Sequence, residues 1–237
     1  EDKVRIQTEN LKRQNRLLEQ QAEKIKASNE KIIDVLGTVV EYRNLESGEH
    51  IKRVKGFTRI LAEKAAKKYP EYNLTPERIN IIVAASALHD IGKITIKDSV
   101  LLKPGRLDKD EFEYMKSHTV RGCDILDQID GAWDSEYAKV SYAICRHHHE
   151  RYDGKGYPDG LAGEEIPIEA QLVSVADVYD ALVSERVYKE AIDKDKAYHM
   201  ILMGECGVFS PKLMECFRES KEEFENLALK YENARKE

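Results

Sequence analysis

The sequence has 237 residues, of which 41% are hydrophobic and 35% are charged, and its formal net charge is −6. This composition predicts one sizeable core plus an appendage, and the negative charge disfavours binding to polymeric nucleic acid. No apolar run approaches the about 20 residues of a membrane-spanning helix and no signal peptide is visible, so we expect a cytoplasmic protein without a membrane segment. The chain begins at Glu1 rather than at methionine, from which we expect a fragment of something longer.

The N-terminal stretch, residues 1–31, is rich in Glu, Gln, Lys, Arg and Asn and lacks Gly and Pro. Apolar residues recur at every seventh position, namely Val4, Leu11, Leu18, Ile25, Ile32 and Val39. A strict seven-residue repeat predicts a supercoiling helix. The complementary seam position is mostly polar, so two interpretations stay open. We favour a parallel coiled-coil homodimer of low stability over a single solvated helix.

Residues from Ile32 to about Phe217 are more apolar, and their period predicts an all-α domain. The predicted helical stretches are 53–68, 77–92, 110–129, 135–148, 169–184 and 194–204. "NLTPE" at 73–77 predicts a capped helix with proline in its first turn, and "KPGRLDKDE" at 103–111 predicts a turn before an acidic helix start. We therefore expect three parts: a coiled-coil helix at 1–35, a helical domain at 36–217 and a charged terminal helix at 218–237.

Histidines and carboxylates gather in a few short segments. "ALHDIGK" at 87–93 places His89 and Asp90 at the end of the most apolar predicted helix, where both side chains need partners once they are desolvated. This pair alone leaves metal ligation and a structural role open. Further segments hold Glu46 with His50, His118, the run His147, His148 and His149, and Asp177 with Asp180. Such a set suits a multinuclear cation site, whereas His199 stands apart and is interpreted as structural.

In chain order, the motifs "ESGEH", "HDIGK", "KPGRL", "HHERYDGKGYPDGLAGEEIP" and "ADVYDALVSERVYK" resemble the HD-GYP family. This family is a branch of the HD phosphohydrolases known for degrading cyclic di-GMP. The resemblance covers about residues 36–217 and implies an HD-type helical bundle. The helix before it is similar to the connector that joins such domains to response-regulator receivers.

The resemblance also implies a set of metal ligands. They are Glu46, His50, His89, Asp90, His118, His148, His149 and Asp177. The resemblance implies two or three ions, and the match at Glu46 favours three. Iron or manganese is the family expectation, although the residue types would also allow zinc. His147 is then a neighbour of the ligands rather than one of them.

Further residues are implied in catalysis and substrate binding. Arg186 and Lys189 match the family's R-x-x-K and would hold phosphates, with a solvated surface pair as the alternative. Lys93 would act with Asp90 in catalysis, stabilising transition-state charge or protonating the leaving group, with a structural ion pair as the alternative. The glycine-rich loop carrying Tyr157 would lie at the cleft mouth, and in the family it is linked to contact with GGDEF cyclase domains. Tyr157 and Asp180 would contact substrate.

Together these features predict a metal-dependent phosphodiesterase that hydrolyses cyclic di-GMP by attack of metal-activated water. The family product is linear pGpG, which some members cleave on to GMP. Two alternatives stay open: a phosphodiesterase for another cyclic dinucleotide such as cyclic GMP-AMP, and a signalling adaptor that binds nucleotide or a GGDEF partner without turnover. The complete ligand set favours the enzyme.

Overall fold

The structure, a computed structural model, describes residues 2–43, 48–128, 135–185 and 191–234. Within these ranges it is made of α-helices and short 3₁₀ segments, with no strand beyond a single bridge between Asp153 and Ala162. The α-helices are α1 (Asp2–Arg43), α2 (Glu49–Lys68), α3 (Pro76–Ala85), α4 (Asp98–Leu101), α5 (Lys109–Lys116), α6 (His118–Asp127), α7 (Ser135–His147), α8 (Ile168–Val183), α9 (Lys194–Leu202), α10 (Pro211–Glu219) and α11 (Lys221–Ala234). The predicted all-α class is confirmed. No helix in the described part of the chain is both long and apolar enough to cross a bilayer.

The predicted helix starts are confirmed by their caps. The Thr75 side chain accepts a hydrogen bond from Arg78 N directly before Pro76, and Asp108 forms a reciprocal capping box with Glu111. Asp108 therefore ends the turn at 103–108 and starts α5.

Two predicted helices are interrupted, and a histidine lies at each interruption: His89 in the first and His118 in the second. The stretch 77–92 ends as an α-helix at Ala85 and continues as 3₁₀ segments, Ser86–Leu88 and Ile91–Thr95, with His89 and Asp90 between them. The stretch 110–129 divides at Ser117, whose hydroxyl donates to Tyr114 O at 2.6 Å. Hydrophobic periodicity continues through both breaks, which is why the sequence pattern did not reveal them.

The main core is arranged around α8, most of whose residues are buried against α2, α3, α7, α9, α10 and α11. Its centre is an aromatic cluster in which Phe57 stacks on Phe224 with ring centroids 4.7 Å apart and both contact Tyr179. Phe224 and Ala228 are buried, so α11 packs into this core more closely than its many charges predict.

A second, smaller core places the ligand-bearing segments beside one another. It joins the C-terminal end of α1, the 3₁₀ segment Ser86–Leu88, α6 and α7. The closest approach is at Gly92, where a Cβ atom would lie 1.8 Å from His118 O and 2.6 Å from Gly122 N. Only glycine lets α6 lie directly on the segment that follows Asp90, and this contact brings His118 to Asp90.

The C-terminal end of α1 is bonded to the same segment. Arg43 donates hydrogen bonds to the carbonyl oxygens of Lys93 (2.9 Å), Ile94 (2.5 Å) and Ile96 (2.6 Å), and to the carboxylate of Asp98 (2.7 Å). Toward the other end of α1, every described side chain from Lys3 to Asn29 is exposed.

Candidate metal centre

The structure brings seven of the predicted ligand residues together from separate elements. His50 lies on α2, His89 and Asp90 between the two 3₁₀ segments, His118 at the start of α6, His148 and His149 directly after α7, and Asp177 on α8. Their ligand atoms form two groups, each with all atoms within 4.8 Å of one another: Asp90, His118, His148 and His149 in the first, and His50, His89 and Asp177 in the second.

Asp90 connects the two groups. Its Oδ1 atom lies 3.2 Å from His118 Nε2 and 3.7 Å from His148 Nε2, and its Oδ2 atom lies 3.3 Å from His89 Nε2. In the second group, Asp177 Oδ1 lies 3.7 Å from His50 Nε2 and 3.9 Å from His89 Nε2. One carboxylate thus faces imidazoles of both groups, which is the arrangement expected of a bridging ligand.

Local backbone contacts hold these imidazoles in one tautomer. His89 Nδ1 lies 2.8 Å from Ser86 O, His118 Nδ1 lies 2.8 Å from Met115 O, and His148 Nδ1 lies 3.0 Å from Ile144 O. A carbonyl oxygen can only accept, so each Nδ1 carries a proton, and each ring in its neutral form presents the Nε2 lone pair. Fixing the outer nitrogen in this way is typical of metal-binding histidines.

The inner atoms of the site lack partners. The Nε2 atoms of His89, His118 and His148 and the Oδ1 atom of Asp90 are buried, and none has a well-aligned hydrogen-bond partner among the described residues. Lone pairs of neutral imidazoles and a carboxylate face one another at 3.2–3.7 Å, which is unfavourable unless a cation lies between them. The residues therefore fit bound divalent cations with nitrogen and oxygen ligands.

The pKa values separate the two groups when no cation balances them. Burial, followed by the neighbouring His148 and His118, holds the pKa of His149 well below its usual value, and burial also lowers the pKa of His148. Burial alone would lower the pKa of His89, but the Asp90 carboxylate outweighs it and raises this pKa to about 10. Without a cation the rings of His148 and His149 are thus neutral, whereas His89 takes up a second proton, which a bound cation would displace.

Asp180 contacts the second group from the side opposite the ligand atoms, at His50 Nδ1 rather than Nε2. It is buried, and its carboxylate contacts His50 Nδ1 at 2.7 Å, Arg53 Nε at 2.5 Å and the Ser184 hydroxyl at 3.2 Å. Burial would raise its pKa, but His50 and Arg53 lower it to about 2, so the carboxylate is ionised. These contacts favour a role in orienting His50 over the predicted contact with substrate.

Lys93 and Tyr157 lie next to the first group. Lys93 Nζ is 2.5 Å from Asp90 Oδ2, and the Tyr157 ring stacks on His149 with centroids 4.7 Å apart. Burial raises the pKa of the Tyr157 hydroxyl, so it stays protonated at neutral pH. Both residues are therefore adjacent to the candidate ligands, as the sequence predicts.

Glu150 organises the glycine-rich loop, a role that the sequence analysis missed. This buried carboxylate accepts hydrogen bonds from the backbone N–H groups of Asp159 (2.7 Å), Gly160 (3.0 Å) and Leu161 (3.1 Å). Gly156 packs directly on it, because a Cβ there would lie 2.4 Å from Glu150 Cα. The position of this carboxylate directly after three histidines was the available signal. The sequence analysis interpreted the histidines as metal ligands and gave Glu150 no role.

The remaining predicted residues lie elsewhere. Glu46, Arg186 and Lys189 fall outside the described residues. His147 lies beside the ligands, with its Nδ1 atom 3.5 Å from Asp159 Oδ2. His199 is exposed on α9, where it contacts Asp195.

Curated relatives share this chain's sequence over most of its length. A cyclic di-GMP phosphodiesterase of Vibrio cholerae is 39% identical over 220 residues, which are 92% of this chain and 44% of the relative. The cyclic di-GMP phosphodiesterase response regulator RpfG of Xanthomonas campestris is 35% identical over 98% of this chain and 59% of its own length. The 3′3′-cGAMP-specific phosphodiesterase 2 of Vibrio cholerae is 34% identical over 84% of this chain and 36% of its own length. The chain spans about half the length of the curated relatives it matches.

The family match and a solved structure agree with the fold. The crystal structure of a cyclic GMP-AMP-specific phosphodiesterase from Vibrio cholerae superposes with a TM-score of 0.54 at 16% identity, covering 81% of this chain and 48% of that one, which supports the fold alone. The HD domain family matches residues 14–205. The chain therefore belongs to the HD domain family. The resemblance to its HD-GYP branch, predicted from the motifs, is confirmed by the curated relatives.

Proposed function

We propose that this chain is a metal-dependent phosphodiesterase for cyclic di-GMP. The observation that carries the proposal is that buried Nε2 atoms converge on Asp90, while the Nδ1 atom of each ring is already bonded to a backbone carbonyl three or four residues earlier in the chain. Burying this many polar atoms without partners is unfavourable, so packing alone does not explain them. Two adjacent groups of ligand atoms support at least two ions, and Glu46 would add ligands for a third. Iron or manganese is the proposed metal.

The chain's own residues divide the work as follows. His118, His148 and His149 would hold one ion and His50, His89 and Asp177 another, with Asp90 between them. Such ions, when bound, lower the pKa of a coordinated water toward neutrality and neutralise phosphoryl charge. Lys93, beside Asp90, would donate a hydrogen bond to the departing 3′-oxygen. Asp180 would fix His50, while Arg186 and Lys189 would hold the phosphates.

The names of the relatives support the proposed substrate class. Proteins named cyclic di-GMP phosphodiesterases match at 35–39% identity, which supports cleavage to linear pGpG and onward to GMP as the products to look for. A second candidate is 3′3′-cyclic GMP-AMP, because relatives named as specific for it match at up to 34% identity.

The test is product chromatography on protein purified without oxygen and loaded with Mn²⁺ or Fe²⁺, with metal content measured on the same sample. We expect two or more ions per chain and conversion of cyclic di-GMP to pGpG. Faster turnover of cyclic GMP-AMP in parallel reactions would replace the substrate. Tight nucleotide binding without product from either substrate would instead support the adaptor alternative, and a single bound ion would contradict the two-group assignment.

The N-terminal half of α1 supports a homodimer. The six residues of the seven-residue repeat, which continues beyond this half to Val39, are 53–66% exposed. A second copy that covers this stripe in parallel would remove it from water. RpfG is named a response regulator, which fits α1 as the connector to a receiver. The glycine-rich loop is proposed as the contact for a GGDEF partner.

A further inference from the structure

A row of rings leads from the candidate metal centre to the surface. The His118 and His149 centroids are 5.1 Å apart, Tyr157 stacks on His149, and Phe112 meets Tyr157 edge-on with centroids 6.4 Å apart. The outermost ring comes from α5, the helix whose last turn supplies Met115 O to His118. The position of Phe112 relative to the metal centre is therefore set by the same short helix.

Phe112 does not belong to a core. Its side chain is 48% exposed, and it is part of neither hydrophobic cluster in the described residues. An exposed phenyl ring contributes little to folding, so its position beside a half-buried tyrosine suggests a contact made by something absent from the chain itself. A flat ligand could stack on the exposed Phe112 ring and contact the nearly perpendicular Tyr157 ring at its edge.

Lys116 adds a positive charge to these two rings. It lies one turn after Phe112, and its Nζ atom is 5.5 Å from the Phe112 centroid and 5.6 Å from the Tyr157 centroid. The ammonium group has three donors, of which the contact with Glu113 at 2.7 Å occupies one. The others can reach acceptor atoms at the edge of a ligand that stacks on Phe112.

We propose that one purine base of the substrate stacks on Phe112 and meets the nearly perpendicular Tyr157 ring at its edge, and that Lys116 donates to the O6 and N7 acceptors of guanine. The inference rests on the proposed function, because a phosphate held at the metal centre leaves the base of the same nucleotide to lie beside it. Aromatic rings bind bases through their π-faces at about 1–3 kcal/mol per base. Guanine offers O6 and N7 to a cation, whereas adenine offers N7 beside an N–H₂ donor, so Lys116 favours guanine.

The experiment compares ligands that differ only in the base. Calorimetry on Mn²⁺-loaded protein measures binding of GMP and of ribose 5-phosphate, which has the phosphate but no base. Phe112→Ala is expected to weaken GMP binding about tenfold or more, since 1.4 kcal/mol is a factor of ten, and to leave ribose 5-phosphate unchanged. Phe112→Tyr, which keeps a ring, should restore GMP binding. Leu229→Ala, which shortens a side chain of similar exposure on α11, is the control.

Lys116→Met tests the edge contact. It is expected to lower the preference for GMP over AMP by about tenfold while leaving ribose 5-phosphate binding unchanged. An unchanged preference would overturn the guanine assignment.

The remaining outcomes separate the base-stacking proposal from the proposed function. If Phe112→Ala weakens both ligands equally or neither, the stacking platform is wrong even in an enzyme that cleaves cyclic di-GMP. If GMP binding depends on Phe112 but the unaltered protein releases no product from a cyclic dinucleotide, the platform stands and the proposed function fails.

Discussion

The N-terminal half of α1 and the metal-centre region differ in what they leave unpaired. The first exposes apolar side chains to solvent, and the second buries polar side chains. The apolar repeat from Val4 to Ile25 is 59–66% exposed, whereas the buried histidines around Asp90 are already held by backbone carbonyls of nearby residues. The first region lacks only apolar partner surface, and the second lacks only positive charge. One is therefore completed by another chain and the other by cations. Changes in one region should leave the other intact, and this independence can be tested.

The largest effect is expected from Asp90→Ala, which removes the carboxylate shared by both groups. Changes to residues that merely orient metal ligands cost about 10–100-fold in affinity or activity, so loss of a bridging ligand should exceed that range. We expect undetectable turnover and a fall in metal content, measured by chromatography and elemental analysis. Asp124→Ala, at an exposed position on α6, should match the unaltered protein. Full activity of Asp90→Ala would refute the site.

Asp180→Asn should have the next largest effect. It removes the charge that balances Arg53 and orients His50, so we expect a roughly 10–100-fold lower affinity at the second group of ligands. Because the folded pKa of Asp180 is about 2, below the value of 3.8 for an unperturbed Asp, its carboxylate stabilises the fold above that value. This contribution is lost as the pH falls from about 4 to about 2.

Denaturant titrations at several pH values measure this loss. The variant should be less stable by about 3 kcal/mol at pH 7, since it leaves Arg53 without its buried partner, and the difference should shrink below pH 4. Asp195→Asn, which removes an exposed partner of Lys221, should change stability by less than about 1 kcal/mol. Equal behaviour of the two variants would mean that Asp180 does not hold His50.

Glu150→Gln should disturb the glycine-rich loop without removing a metal ligand. An amide has one acceptor oxygen where the carboxylate has two for three backbone donors, so a loss of about 2 kcal/mol in unfolding free energy is expected. KM should rise more than kcat falls, because Tyr157 lies in this loop. Glu165→Gln alters an exposed carboxylate with a single backbone contact and is the matched control. Unchanged KM and stability would show that Glu150 does not organise the loop.

The smallest effect on chemistry is expected from replacing Leu11, Leu18 and Ile25 with Asp. Light scattering should give a mass near 27.2 kDa for the variant and about twice that for the unaltered chain, while metal content stays the same. Charges on the apolar stripe make its burial between two helices unfavourable, so the dimer should dissociate.

A control triple variant carries new charges off the stripe. Lys12→Asp, Arg16→Asp and Lys24→Asp should remain dimeric. A monomeric unaltered chain at micromolar concentration would contradict the coiled coil. A dimer that survives in the Leu11, Leu18 and Ile25 variant would have to be held elsewhere.

The sequence predicts residue types better than it predicts their partners. His89 and Asp90 stood out because desolvated polar groups interrupt an apolar helix, and the apolar period was enough for the all-α class. The breaks at Ala85 and Ser117 leave no mark on that period. Asp180 and Arg53 lie 127 positions apart, so their contact depends on how α2 packs against α8, which local patterns do not encode. Glu150 was missed for the same reason, since its partners are backbone N–H groups of a folded loop.

The hydrogen bonds made by Arg43 join α1 firmly to the segment that follows Asp90. A helix that ended in a flexible linker could rotate without moving the segment that follows it. Arg43 instead donates hydrogen bonds to three carbonyl oxygens and to the carboxylate of Asp98, which ties the end of α1 to the backbone of Lys93. With 42 residues at 1.5 Å each, α1 is roughly 63 Å long, and we expect a rotation imposed at its far end to reach the segment that carries the Lys93–Asp90 ion pair.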